Sequence, residues 1–319
     1  MRRVAIGIAG FFLALICVPT ALAQAYPSKA IRMIMPFAPG GGLEAQARVV
    51  TAKLAETWGQ PVVIDSRPGA NGVVGTQMVV AATPDGYTLL FTNSSIATVA
   101  ILSGKPTFDP VKDLATVIQV GVQPQILVAH PSMPATLRDV LALARQQPGK
   151  LNFASAGSTS QLTMELLKSL AKVDLLHVPY KGSAPAVTAI LGGEVQFAIF
   201  SANVILPHVR AGKLRALGVT SAKRAASLPE VPAIAEAGVP GYETIQWSGV
   251  LAPARTPRAT VARLNAEIDR LLRLEEVLQR LGNLGVEPAG GGPERFAAYL
   301  NAETVKWTRL IKETGLRVE

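Results

Sequence analysis

Two stretches of the chain set glycines and hydroxyls directly behind a short apolar run: MPFAPGGGLEAQ (35–46) and FASAGSTSQLTM (153–164). Each is followed by apolar residues at helical spacing, so each reads as strand, turn and helix start. A helix N-terminus presents unpaired N–H groups and a partial positive charge, and it holds a carboxylate or phosphate without needing a charged side chain. The glycines at 40 to 42 let an anion approach the main chain closely. In the second stretch Ser155, Ser158, Thr159 and Ser160 add hydroxyl donors. The same residues have plainer uses. Thr159 or Ser160 caps a helix in any protein, and Glu44 is well placed in a first helical turn with Arg48 four residues on as its partner. In open α/β sheets ligands lie outside the carboxyl ends of the strands, so two such turns from two domains can face one another across a cleft.

Other chemistries find less support. Gly40, Gly42 and Ala45 satisfy G-x-G-x-x-A, with Asp65 ending the next strand, which is the pattern of a dinucleotide loop. Pro36 to Pro39 separate the strand from the glycines, however, whereas that loop turns directly off its strand. No G-x-S-x-G elbow and no H-E-x-x-H occurs. His130, His177 and His208 are scattered beside or near prolines, as structural or surface histidines are. A hydrolase using one of the clustered serines would need folding to bring a base to Ser158 or Ser160. Binding is therefore favoured over catalysis, and neither a cofactor nor a metal is expected.

The chain has 319 residues, 49% of them hydrophobic, and a formal charge of +9. Its start reads as an export leader: Arg2 and Arg3, an apolar run from Val4 to Val18, and Ala21-Leu22-Ala23 before Gln24. Residues 1–23 are expected to be removed near Ala23 in the periplasm, since a run of roughly fifteen residues is short for a bilayer span of about 20. The only cysteine, Cys17, leaves with that leader. The remaining chain of about 295 residues must then stabilise itself by its core without disulfides, and its length suits two domains. Without Arg2 and Arg3 the charge of +9 becomes +7, and no run of four basic residues occurs. That is no nucleic-acid footprint.

The positioning elements follow from alternating β-rich and amphipathic segments, the pattern of an α/β protein with mostly parallel strands. Strands are expected at 31–35, 61–65, 88–92, 125–130, 151–155, 175–180, 195–200 and 214–220. Leu43, Ala47, Val50, Leu54 and Trp58 mark a helix between the first two. Further helices are expected at about 137–147, 160–172, 184–191, 258–274 and 293–314.

A series of motifs, in order, resembles a known family: YPSKAIRMIMPFAPGGG (26–42), DSRPGANGVVG (65–75), PDGYTLL (84–90), FDPVKDL (108–114), PGKLNFASAG (148–157), HVPYKGSAPA (177–186), LPHVRAGKLRALGVTSAKR (206–224), LPEVPAIAEAGVPGYE (228–243) and GVLAPARTP (249–257). On these the chain is identified as a member of the Bug family, the solute receptors of tripartite tricarboxylate transporters. The resemblance implies a type II-like, two-domain periplasmic-binding-protein fold with central sheets, flanking helices and a ligand cleft between domains. Domain one would comprise 25–124 and 250–319, and domain two 125–249. It implies a monomer that captures a small organic carboxylate and presents it to membrane transporter components or, in a variant role, to a sensor protein.

The resemblance also implies the site. The loop Phe37, Ala38, Gly41, Gly42, Leu43 and Glu44 and the loop Ser155, Ala156, Gly157, Ser158, Thr159 and Ser160 would grip one carboxylate. The rest of the ligand would meet Thr92, Asn93 and Ser94, then Tyr180, Lys181 and Gly182, then Ser201 and Asn203. The chain departs from the family at Leu43-Glu44, Gln161, Gln196 and Ser201. Fewer acidic groups near the pocket would disfavour a ligand amino group, and Leu43 suggests a more apolar ligand.

Overall fold

The computed structural model describes residues 26–102, 107–156, 158–225 and 228–315. The expected leader with Cys17 lies outside them, as do Gly157 and the side chain of Ser158. The chain opens with β1 (Ile31–Met35), α1 (Gly42–Trp58), β2 (Val62–Ser66), α2 (Val73–Val80), β3 (Thr88–Asn93), α3 (Ile96–Leu102) and β4 (Leu114–Gln123). It then enters β5 (Gln125–Ala129), α4 (Leu137–Gln146), β6 (Asn152–Ser155), α5 (Ser158–Ala171), β7 (Leu176–Pro179), α6 (Ser183–Leu191), β8 (Phe197–Ser201), α7 (Ala202–Arg210) and β9 (Arg215–Val219). It returns through β10 (Gln246–Pro253), α8 (Arg258–Leu271), α9 (Glu275–Asn283), β11 (Glu287–Pro288) and α10 (Pro293–Thr314).

These strands form two sheets, ordered β11-β4-β10-β3-β1-β2 and β7-β6-β8-β5-β9. The expectation of mostly parallel strands needs correction, because both sheets are mixed. β1, β2 and β3 run parallel, as do β6, β7 and β8. β10 is antiparallel to β3 and β4, and β5 is antiparallel to β8 and β9. The reason is topological: each sheet takes a strand where the chain enters it from the other, and these entering strands, β5 and β10, run opposite to their neighbours.

The central strands β1, β3, β5 and β8 are buried on both faces, which explains their continuous apolar character. In β1, Ile31, Met33 and Met35 join one core cluster with α1, α8 and α9, while Ile34 points to the other side. In β5, Ile126 and Val128 face the cluster beneath α6 and α7, and Leu127 and Ala129 face the opposite one. Each fully buried Leu or Ile contributes about 1.5–3 kcal/mol, so a core of this extent needs no disulfide.

Local signals set the helix ends. Thr136 caps α4 by accepting from the Asp139 amide at 3.2 Å, and Pro293 opens α10 at a position where no amide is needed. α1 stops at Gly59, whose φ of 62° is left-handed. The two crossings between sheets are tight. Pro124 alone separates β4 from β5, and Gln246 pairs with Gln123 across β10 and β4. Thr220 ties the crossings together, its Oγ1 accepting from the Gln125 amide and its carbonyl from the Thr244 amide, both at 2.9 Å.

Candidate functional site

A cavity of about 320 Å³ lies between the two sheets. The first sheet's side contributes Phe37, Asn71, Asn93 and Ser95 to its wall. The second contributes Ala156, Thr159, Ser160, Ser183, Phe200, Ser201 and Val204. Gln125 and Gln246, the opening residues of the two entering strands, complete it. The wall thus gathers residues at or just beyond the carboxyl ends of β1, β2, β3, β6, β7 and β8, where open α/β sheets place ligands. None of these residues carries a charge.

Of the residues singled out from sequence, the structure brings Phe37, Asn93, Ala156, Thr159, Ser160 and Ser201 together in this wall. Ala38, Gly41 and Gly42 are exposed on the loop that leads from Phe37 into α1. Thr92 is buried within β3, and the Ser94 amide donates to the Trp247 carbonyl at 3.0 Å. The Tyr180 amide donates to the Ser155 carbonyl at 2.9 Å, and its ring packs on the core cluster under α6 and α7. Lys181, Gly182 and Asn203 are exposed, the last beside Gly285 of the first sheet's side.

Two departures from the family sit away from the cavity wall. Leu43 packs against the core cluster beneath α1. The Gln196 side chain accepts from the Asn152 amide at 2.9 Å at the start of β8, while Ser201 closes that strand at the cavity. Of Gln196 and Ser201, only Ser201 therefore borders the cavity.

The first glycine turn carries its own anion. The Glu44 carboxylate accepts from the Gly40 amide at 2.6 Å and pairs with Arg48. Those two contacts hold its carboxyl below the usual carboxylate range, the Gly40 amide being the larger influence. No side chain caps α1 itself, and its first amides with backbone partners are those of Glu44 and Ala45, which donate to the Gly41 carbonyl at 3.1 and 3.2 Å. In the second turn the Ser160 hydroxyl accepts from the Ala156 amide at 2.8 Å and fixes the loop's entry into α5.

Folding does bring a histidine to a serine. Ser155 Oγ lies 2.6 Å from His177 Nε2, and the imidazole stacks on Phe153 with ring centroids 5.0 Å apart. Burial pushes the His177 pKa down. Ser155 is only 2% exposed and contributes nothing to the cavity wall, so this pair fastens β6 to β7. Asp65, the acid of the dinucleotide pattern, is held by Arg32 and Arg67 and is not available to a ribose.

Sequence reading did not find Asn71, Ser95, Gln125, Ser183, Phe200, Val204 or Gln246. Asn71 has a φ of 54° in a turn flanked by Gly69 and Gly72, both at positive φ. Asparagine tolerates this conformation, and the RPGANG run is the one signal that could have marked it. The glutamines had none, because their position depends on where the chain changes sheets.

A cleft between two mixed α/β sheets, lined at strand ends and walled by neutral hydrogen-bonding groups, defines a two-domain solute-binding protein. The chain belongs to the tripartite tricarboxylate transporter family receptors, whose pattern it matches over residues 46–316. It is 41% identical over 299 residues to the UPF0065 protein of the tcbD-tcbE intergenic region of a Pseudomonas species, covering 92% of this chain and 88% of that one. Among solved structures it is similar to Rpa4515 of R. palustris with adipate, at 35% identity and a TM-score of 0.75, covering 92% of this chain and 99% of that one. It is also similar to MatC of Rhodopseudomonas palustris with bound malate, at 32% identity and a TM-score of 0.72, covering 90% of this chain and all of that one. The chain is thus a solute-binding receptor. Among the described residues no helix is long and apolar enough to cross a membrane.

Proposed function

We propose that this receptor captures a small organic carboxylate in the periplasm and presents it to the membrane components of a tripartite tricarboxylate-type transporter, without altering it. The observation that carries the reading is the joint placement of two strand–turn–helix units, β1 to α1 and β6 to α5, which reach one cavity from opposite sheets through Phe37 and through Ala156, Thr159 and Ser160. One carboxylate bridging both N-termini gains its full set of donors only when the sheets close on it, so binding favours the closed state. The phenyl rings of Phe37 and Phe200 and the Val204 side chain suit a hydrocarbon body. An uncharged wall gives a ligand ammonium no counter-ion. The bound acids of the adipate and malate relatives are of the same chemical class.

On this reading the domains are the two sheets with their helices, and the second crossing falls before Gln246, so that β10 belongs wholly to the first domain. Calorimetric titration of the purified mature protein with mono-, di- and tricarboxylates, amino acids and NAD tests the assignment. Saturable binding of at least one carboxylate is expected. Binding of NAD with no response to any carboxylate would overturn it.

A further inference from the structure

The buried face of α10 carries apolar residues at helical spacing, Phe296, Leu300, Trp307, Leu310 and Ile311, and one carboxylate among them, Glu303, which is 6% exposed. A buried charge is costly unless it is paired and hydrogen-bonded, so its bonds dictate its geometry. Glu303 accepts from Trp307 Nε1 at 2.9 Å and pairs with Lys306. Lys306 Nζ in turn donates to the Glu243 carbonyl at 3.0 Å, in the segment that leaves the second sheet for β10. The neighbouring Tyr242 is buried, and its hydroxyl donates to the Thr163 carbonyl of α5 at 3.2 Å. Thr163 Oγ1 donates to the Thr159 carbonyl at 2.8 Å, and Thr159 stands in the cavity wall. A chain of adjacent residues and hydrogen bonds thus leads from α10 to the turn that opens α5. Glu303 and Trp307 also share a chamber of about 20 Å³ with Thr159, Leu162 and Thr163, so the indole lies across from the first turns of α5.

We propose that α10 braces the two halves against one another, and that Trp307, locked by Glu303, is a positioning residue that holds the first turns of α5, with Thr159 and Ser160, at the cavity. The start of α10 is fixed to the first sheet: Thr116 Oγ1 of β4 donates to the Pro293 carbonyl at 2.9 Å, and the Phe296 ring lies 5.1 Å from that of Trp247 in β10. A helix of 22 residues is about 33 Å long, so its last turns reach the Glu243 segment and α5 as a stiff rod. Neither Glu303 nor Trp307 borders the cavity, so both act through α5 and not on the ligand. Groups held in place before a ligand arrives need less ordering on binding, so a loosened brace weakens binding. The inference rests on the carboxylate reading above, which gives the α5 turn to the ligand, and adds to it a working part outside the cleft.

Two variants test it. Trp307→Phe keeps an aromatic ring and removes the donor, whereas Glu303→Gln keeps an acceptor for the indole and removes the charge. In calorimetry with the tightest carboxylate, binding about tenfold weaker is expected for Trp307→Phe and within about threefold of the original for Glu303→Gln. A second readout needs no ligand. Dyes on Leu170→Cys of α5 and Leu278→Cys of α9, both exposed positions, in protein purified without residues 1–23 and hence without Cys17, report the separation of the halves by energy transfer. The transfer should shift in Trp307→Phe and stay unchanged in Glu303→Gln. Far-UV circular dichroism and melting confirm that the variants fold. A Trp307→Phe protein that melts lower but binds within threefold of the original, with unchanged transfer, marks Trp307 as a core residue only and overturns the inference. If no carboxylate binds the unaltered protein, the carboxylate reading falls, and the transfer measurement still decides whether α10 braces the halves.

Discussion

Gly42→Val separates the binding role of the first turn from its structural role. A Cβ built at Gly42 meets no atom within 4 Å, and the same is true at Gly41. Neither residue has a positive φ, so a branched side chain enters without backbone strain. Valine is also a better helix residue than glycine by a few tenths of a kcal/mol, and Gly42 is the first residue of α1. Folding stability should therefore hold or rise slightly. Binding should not hold, because the new methyl groups occupy the space through which an anion reaches the amides at the start of α1. Two amide bonds to a carboxylate, at about 1.5–3 kcal/mol each, amount to about 3–6 kcal/mol. At about 1.4 kcal/mol per tenfold, affinity falls by more than a hundredfold. Calorimetry with the tightest carboxylate, beside urea denaturation of both proteins, measures the two effects. A dissociation constant within threefold of the original, in a variant of unchanged stability, would refute the assignment of these amides to the ligand.

Two further outcomes are expected. Burial lowers the His177 pKa, so below about 6.5 the unfolded chain takes up a proton that the native imidazole refuses. Stability should fall as pH drops from 7 through that region and level off once the folded ring is itself protonated. Melting curves from pH 8 to 5 should show this component in the original protein and lack it in His177→Gln; identical profiles would count against it. Gly75→Ala places a Cβ 2.8 Å from both the Arg67 carbonyl oxygen and Pro36 Cα, a backbone contact that nothing flexible can relieve. It should cost about 1–3 kcal/mol in urea denaturation and weaken ligand binding by shifting Phe37 and Asn71, and an unchanged midpoint would contradict the close packing of this loop.

The elements with strong local signals were legible in the sequence. β1, with IRMIM buried on alternating faces, and α10, opened by Pro293, fall at the expected residues. The long strands β4 and β10 were not read, though β4 is rich in β-branched residues. β10 gave a weak signal because Gly249 interrupts it; a Cβ there would lie 2.6 Å from Phe296 Cζ. The shorter α2, α3, α7 and α9 offer too few turns for a periodic signal to stand out. At the site, the two turns could be read because helix starts carry composition, as with Thr159 and Ser160. The cavity's remaining wall, Gln125 and Gln246 above all, comes from strands brought together only by the mixed topology.

The single proline between β4 and β5 has a mechanical consequence. One residue spans at most about 3.3–3.6 Å, and proline fixes its own φ, so the connection has neither slack nor freedom to coil. With Gln246 paired to Gln123 and both crossings tied through Thr220, the two connections between the sheets lie side by side. If the halves close on a ligand as proposed, a single donor–acceptor distance between them should follow that closure.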